Sequence, residues 1–99
     1  MKPANLAPFY CAIYPELAEI ARKHGYALAI HGSLARDFDL IAVAWIEFPS
    51  TPQVVVDEIV NTFSIKQHGE PTLKPHNRLV YTLNVSFGDC FLDFSFMGI

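Results

Sequence analysis

Three aspartates in this sequence have the spacing of a cation site. Asp37 and Asp39 stand two residues apart at the start of an apolar segment, and Asp93 lies in the middle of an aromatic one, CFLDFSF. Side chains of a strand alternate between its faces, so Asp37 and Asp39 share one face. If the strand of Asp93 is a neighbour, three carboxylates converge. Crowded carboxylates repel each other, and they suit Mg²⁺ or Mn²⁺, which would in turn hold phosphates.

A Gly-Ser pair precedes the first two aspartates. Gly32 lets the backbone come close to a bound phosphate, and Ser33 offers a hydroxyl and a backbone N–H. A divalent cation beside a phosphate-binding turn is the apparatus of phosphoryl or nucleotidyl transfer. We therefore predict that Gly32 and Ser33 bind nucleotide phosphates and that Asp37, Asp39 and Asp93 bind the metal ion.

The segment HGSLARDFDLIAV, with CFLDFSF further on, resembles the nucleotidyltransferase superfamily, whose fold is shared by DNA polymerase beta, kanamycin nucleotidyltransferase and the small MNT antitoxins. The superfamily signature is a hydrophobic strand ending in Gly-Ser, then Asp-x-Asp at the start of the next strand, then a third acid in a later hydrophobic strand. Gly32, Ser33, Asp37, Asp39 and Asp93 have these types in this order. The chain is also similar to short uncharacterised phage and bacterial proteins with comparable HGS and KPH segments.

The resemblance covers residues 26–96 and implies a minimal nucleotidyltransferase-like protein. It implies Mg²⁺ or Mn²⁺ as cofactor, a nucleoside triphosphate as ligand, and nucleotidyl transfer to an acceptor as the activity. In a catalytic protein of this kind, the resemblance makes Asp93 the general base for the attacking hydroxyl.

A basic segment, EPTLKPHNR, precedes a predicted strand and offers further phosphate ligands. Lys74 and Arg78 are expected to offset the charge of a triphosphate, and His76 lies between them. A solvated loop with ordinary charges is the alternative. His31 either lines the site of Ser33 or is a hydrogen-bonded core residue.

The three aspartates also have a purely structural explanation that involves no metal ion. Acids at strand ends are often solvated turn residues, and Asp37 could cap the turn after Ser33. Asp93 fits this explanation less well, because an unpaired charge within an aromatic strand is costly. An ion pair with Arg36 or Arg78 would satisfy it.

The positioning elements are predicted to begin with a helix at Pro15 that ends before Gly25. A second helix follows a Ser-Thr-Pro start within residues 49–63, and a long polar loop covers residues 64–77. Alternating or continuous apolar residues predict four strands, at residues 26–32, 37–48, 78–87 and 90–97. The last two strands are predicted to form a hairpin with a Gly88-Asp89 turn.

This order predicts an α+β fold over a single domain, residues 1–99. We expect one small mixed or antiparallel four-stranded sheet with two helices on one face, in the order α-β-β-α-β-β. A ferredoxin-like domain, in which two parallel βαβ halves interleave and the acids are incidental, is a weaker alternative.

Composition narrows the classes of function. The 99 residues are 52% hydrophobic and 17% charged, and the formal net charge is −3. The apolar surplus favours a homodimer or a small protein partner, and the charge does not favour general nucleic-acid binding. No apolar run is long enough for a membrane span, and the two cysteines form no disulfide framework, so we expect a cytoplasmic protein.

Two functions of different classes remain open. The first is Mg²⁺-dependent nucleotide binding or nucleotidyl transfer. The second is a catalytically inactive interaction or regulatory module, of phage or host, that keeps the fold.

Overall fold

The computed structural model describes residues 6–34, 37–85 and 90–97, in which two helices pack on a mixed β-sheet. The helices are α1 (Ala7–Lys23) and α2 (Pro52–Phe63). The strands, in chain order, are β1 (Tyr26–His31), β2 (Asp37–Ala44), β3 (Lys66–Gln67), β4 (Thr72–Lys74), β5 (Arg78–Asn84) and β6 (Phe91–Met97). No helix in these ranges has the length and apolarity that crossing a membrane requires.

The sheet has six strands, so the predicted four-stranded sheet in the order α-β-β-α-β-β was wrong. The strand order is β1-β2-β6-β5-β3, and β4 also pairs with β5. β2 and β6 are parallel, and the other pairs are antiparallel. The antiparallel pairing of the consecutive strands β1 and β2 is also unlike two interleaved βαβ halves.

The two additional strands lie in the segment that was predicted to be a loop. β3 and β4 pair with successive parts of β5, and between them the N–H of His68 donates to the carbonyl of Thr82 at 2.7 Å. Strands of two and three residues are too short to show alternation in a sequence. They form because β5 would otherwise leave backbone groups unpaired along its outer edge.

The first helix begins at Ala7 rather than at Pro15, which lies inside it. Pro8 occupies the first turn, where a missing N–H costs nothing. Tyr10 and Leu17 are fully buried on the same face of this longer helix. Their packing outweighs the backbone hydrogen bond that Pro15 cannot make.

Both helices cover the same face of the sheet. Tyr10 of α1 stacks on Phe38 of β2 with ring centroids 4.7 Å apart. Phe96 of β6 makes edge contacts with Tyr26 and Tyr81, and α2 adds its buried valines and isoleucine to the same core. The opposite face of the sheet carries no helix among the described elements and is called the open face below.

The edge strand β1 is covered at its centre by a side chain of α1. The N–H of Trp45 donates to the carbonyl of Gly25, so the alternation of an antiparallel ladder turns the carbonyl of Leu28 away from β2. The hydroxyl of Tyr14 donates to this carbonyl at 2.6 Å. An outward backbone acceptor is thereby satisfied within the molecule, which protects the edge from pairing with another chain.

The predicted hairpin of β5 and β6 is confirmed. Its register runs from Leu79 opposite Phe96 to Asn84 opposite Phe91, and the N–H of Val85 donates to the carbonyl of Cys90 at 2.9 Å. The Gly88-Asp89 turn, like Arg36, lies outside the described residues.

Removing the Tyr14 hydroxyl should destabilise the fold. Tyr14→Phe leaves the carbonyl of Leu28 without its protein donor, and we expect the free energy of unfolding to fall by about 1 kcal/mol. Urea denaturation followed by circular dichroism measures it. Tyr81→Phe is the matched control, since the hydroxyl of Tyr81 has no hydrogen-bond partner among the described residues. Equal losses in the two variants would contradict the role assigned to Tyr14.

Candidate functional site

Asp39 and Asp93 are direct neighbours on the open face. The parallel register of β2 and β6 pairs Asp39 with Asp93, so the strand of Asp93 is a neighbour of the strand that carries Asp37 and Asp39. The residues beside them, Phe38 and Leu92, are buried on the helical side. Strand alternation therefore directs both carboxylates away from the core.

The two carboxylates affect each other's ionisation. Burial, then the charges of Asp93 and Asp37 and a hydrogen bond with Asp93, raise the pKa of Asp39, while His31 opposes the shift. The hydroxyl of Thr82 donates to Oδ1 of Asp93 at 3.0 Å. This bond orients one oxygen of Asp93, but the neutral hydroxyl brings no positive charge to the carboxylate pair.

Asp37 shares the open face but stands apart from the pair. It is exposed at the start of β2, and its partner on β6 is Phe91 rather than an acid. No three acidic, histidine or cysteine side chains among the described residues are grouped closely enough to hold a metal ion. The three-aspartate metal site therefore stays a prediction, and the structure itself brings together Asp39 and Asp93.

Gly32 lies against the carboxylate of Asp39. Its φ is +82°, and a Cβ at this position would lie 2.8 Å from Oδ2 of Asp39. A larger residue would therefore be strained by its backbone and would displace the carboxylate. Ser33 follows in the exposed turn after β1, and His31 is exposed across from Asp39 rather than buried in the core.

A cavity of about 330 Å³ adjoins the carboxylate pair on the open face. Its lining is mostly polar and comes from four strands: Asp39, Thr72, Lys74, Arg78, Val80, Thr82, Asp93 and Ser95. Asp93 pairs with Thr82, and Arg78 lies four residues away along β5, about 13 Å at the usual rise of a strand. Lys74 pairs with Arg78, so the cavity is acidic at one end and basic at the other.

The basic end has unused hydrogen-bonding capacity. The Nε of Arg78 is buried and has no hydrogen-bond partner. Within the described ranges, the ion pairs join Glu19 with Arg22 and Glu58 with Lys23 and His24, so none involves Lys74 or Arg78. The suggested ion pair between Arg78 and Asp93 is therefore not formed.

The residues predicted to bind phosphate lie in different places. Lys74 and Arg78 line the cavity, and their binding of phosphate stays a prediction, whereas His76 lies in the exposed turn between β4 and β5. Thr72 and Thr82 were not predicted. Thr82 could have been predicted, because the alternation along β5 directs its side chain away from the face of its buried neighbours.

The carboxylate pair fits a divalent cation bound together with substrate phosphates. Magnesium in proteins is commonly held by one or two carboxylates, with substrate phosphates and water completing its coordination. Asp39 and Asp93 supply hard oxygen ligands, and burial together with the neighbouring negative charges raises the pKa of Asp39. They are the residues that would hold such an ion.

A second polar group, made of Ser50, His24 and Glu58, joins the two helices. His24 contacts the hydroxyl of Ser50 at 2.8 Å and the carboxylate of Glu58 at 2.7 Å. The N–H of Ser50 already donates to the carbonyl of His24. It is therefore not available to stabilise the oxyanion of a substrate that the Ser50 hydroxyl would attack. We interpret this group as a clamp between the end of α1 and the start of α2.

Replacing Asp39 with asparagine should stabilise the protein at neutral pH. Because the pKa of Asp39 is raised on folding, its contribution to stability is present at acid pH and is lost as the pH rises through that folded-state pKa. Asp39→Asn removes this loss, and we expect a gain of roughly 0.2–1 kcal/mol at pH 7 that vanishes near pH 3. Thermal unfolding across this pH range measures it.

The matched control is Asp57→Asn on the exposed surface of α2, where the amide oxygen can still accept the hydrogen bond from Gln53 and the stability should change little. A gain at pH 7 that is the same at pH 3 would contradict ionisation of the Asp39 carboxyl as its cause.

Comparison of the chain with models of known protein families and with curated protein sequences finds no match. The resemblance to the nucleotidyltransferase superfamily therefore depends on the residues themselves. Of these, the structure juxtaposes Gly32, Asp39 and Asp93.

Proposed function

We propose that this chain is a nucleotidyltransferase-like protein that binds a nucleoside triphosphate with Mg²⁺ and transfers its nucleotidyl group to a hydroxyl of an acceptor. The observation that carries the proposal is the adjacent pair of carboxylates, Asp39 and Asp93, facing the open side of the sheet. They are crowded against each other beside a polar cavity, as expected of ligands that a cation would bridge.

The turn after β1 supports the same function. The backbone at Gly32 approaches the carboxylate of Asp39 closely, so a triphosphate could be bound by main-chain groups beside the metal ligands. Ser33 would add its hydroxyl and its N–H, and Asp37 would add a third carboxylate from the same face of β2. When bound, Mg²⁺ would neutralise the developing charge on the phosphates.

The chain's own residues would move the proton. The oxygen of the acceptor hydroxyl forms a bond to the α-phosphorus, the bond from that phosphorus to pyrophosphate breaks, and Asp93 takes the hydroxyl proton. The hydrogen bond from Thr82 orients the carboxylate of Asp93 through its Oδ1. A bound cation would favour the ionised form of Asp39 and so oppose the rise of its pKa.

Isothermal titration of ATP tests the binding step. Wild-type protein should bind ATP in the presence of Mg²⁺ and much more weakly in EDTA. Asp39→Asn should weaken Mg²⁺-dependent binding by about tenfold or more, since a ligand charge is lost, and Asp57→Asn should leave it unchanged. ATP binding that is absent, or independent of Mg²⁺, would remove the proposed function.

An interaction module without catalysis is the second candidate, and exposed apolar side chains favour it. Trp45 is 59% exposed and Phe48 is 84% exposed, and Val43 and Ile46 in the same stretch are also large and exposed. Large apolar side chains concentrated at one place on a surface are typical of protein interfaces. We propose a second copy of this chain as the occupant, in keeping with its high hydrophobic and low charged content.

Sedimentation velocity tests the second candidate. If this stretch forms a homodimer interface, Trp45→Ser and Phe48→Ser should each weaken the dimer by at least about tenfold, since each loses roughly 1.5–3 kcal/mol of apolar burial. Leu73→Ser is the control, because Leu73 is 68% exposed on a different strand. A wild type that is monomeric at high micromolar concentration would contradict the dimer.

A further inference from the structure

The cavity beside the carboxylate pair has the composition of an anion site at its far end. Lys74 and Arg78 supply two positive charges there, and the hydroxyls of Thr72, Thr82 and Ser95 line the same cavity. A buried guanidinium N–H without a partner costs stability, and the Nε of Arg78 is such a group. Arg78 also lines the cavity, and carboxylate and phosphate groups are the anions that a guanidinium binds best.

The cavity and the Gly32 turn lie on opposite sides of the carboxylate pair. The strand order places β1, which ends before Gly32, on one side of β2, and β6, β5 and β4 on the other side. The cavity is formed by residues of β2 and of those latter strands, and Gly32 is not part of its lining. The two sides therefore offer different chemistry: a backbone turn on one and a basic cavity on the other.

Nucleotidyl transfer needs two such sides. The attacking oxygen and the leaving oxygen stand in line on opposite sides of the reacting phosphorus. If the Gly32 turn holds the departing pyrophosphate, the acceptor hydroxyl must approach from the cavity. Lys74 and Arg78 then lie where the remainder of the acceptor would be, beyond the reacting phosphate.

We propose that this cavity is the acceptor site and that the acceptor is a small molecule carrying a phosphate group, which Lys74 and Arg78 bind. The proposal rests on the proposed function and assigns these two residues to the acceptor instead of to the triphosphate. A volume of about 330 Å³ is at the lower end of the range for small-molecule sites, which favours a compact ligand. Its hydroxyl lies at the acidic end, where Asp93 accepts the proton.

Binding of inorganic phosphate in EDTA, followed by NMR chemical shifts, tests the anion site directly. Wild-type protein should bind phosphate, with the largest shift changes at the backbone amides of β4 and β5. Lys74→Gln and Arg78→Gln should each weaken binding by about tenfold, because each removes a charge-assisted hydrogen bond. Lys66→Gln is the matched control, since Lys66 is an exposed lysine at the opposite end of β5 and should have no effect.

A second variant shows whether the carboxylates and the anion site share one cavity. Asp39→Asn removes negative charge from the acidic end and should strengthen phosphate binding several-fold, whereas Asp57→Asn on α2 should not. Phosphate binding that is absent, or that is insensitive to Lys74 and Arg78, would overturn the proposal.

Nucleotide competition separates the acceptor site from the triphosphate site. With saturating Mg²⁺ and a non-hydrolysable ATP analogue, phosphate should still bind at β4 and β5, and Lys74→Gln and Arg78→Gln should change the affinity for the analogue by less than about twofold. Displacement of phosphate by the analogue would assign these cations to the triphosphate and overturn the acceptor site. Phosphate binding without any nucleotide binding would reject the proposed function and the acceptor role while leaving an anion site.

Discussion

The parallel pairing of β2 with β6 holds two carboxylates in register at the centre of the sheet, against their mutual repulsion. The same register aligns Phe38 with Leu92 and Leu40 with Phe94 on the buried side. A shift by one residue would turn the acids into the core and these apolar side chains to the open face. A shift by two would separate Asp39 from Asp93, in one direction by setting Asp37 opposite Asp93, and would misalign the buried pairs. The packing of the core thus maintains an electrostatically unfavourable contact on the other face.

The one-sided arrangement of the helices makes this contact accessible. Both helices bury their apolar faces against a single side of the sheet, where Tyr10 stacks on Phe38 and the aromatic residues of β5 and β6 meet. Alternation along each strand then sends every second side chain to the open face, regardless of its polarity. The core and the candidate site are consequently built from the same strands, and a stable core fixes the positions of the site residues.

The cavity keeps opposite charges apart instead of neutralising them. Lys74 and Arg78 are neighbours on β4 and β5, and Asp39 and Asp93 are neighbours on β2 and β6, but the two pairs lie at different levels along the strands. Strands are rigid over this distance, so the side chains do not collapse into an ion pair. Unneutralised charge of both signs within one cavity is a property expected of a binding site and not of a structural ion-pair network.

The sequence by itself determined which residues face together within one element. Its alternation placed Asp37 with Asp39 and Asp93 with Ser95, and its turn and start signals located the second helix and the hairpin, because these signals depend on neighbours in the chain. Only the tertiary structure decided that β2 lies beside β6, that two short strands complete β5, and that Lys74 and Arg78 share a cavity with the acids. These features depend on backbone pairing and packing between distant parts of the chain. Local propensity carries no information about such partners, which are selected by burial and by the hydrogen-bonding needs of the whole sheet.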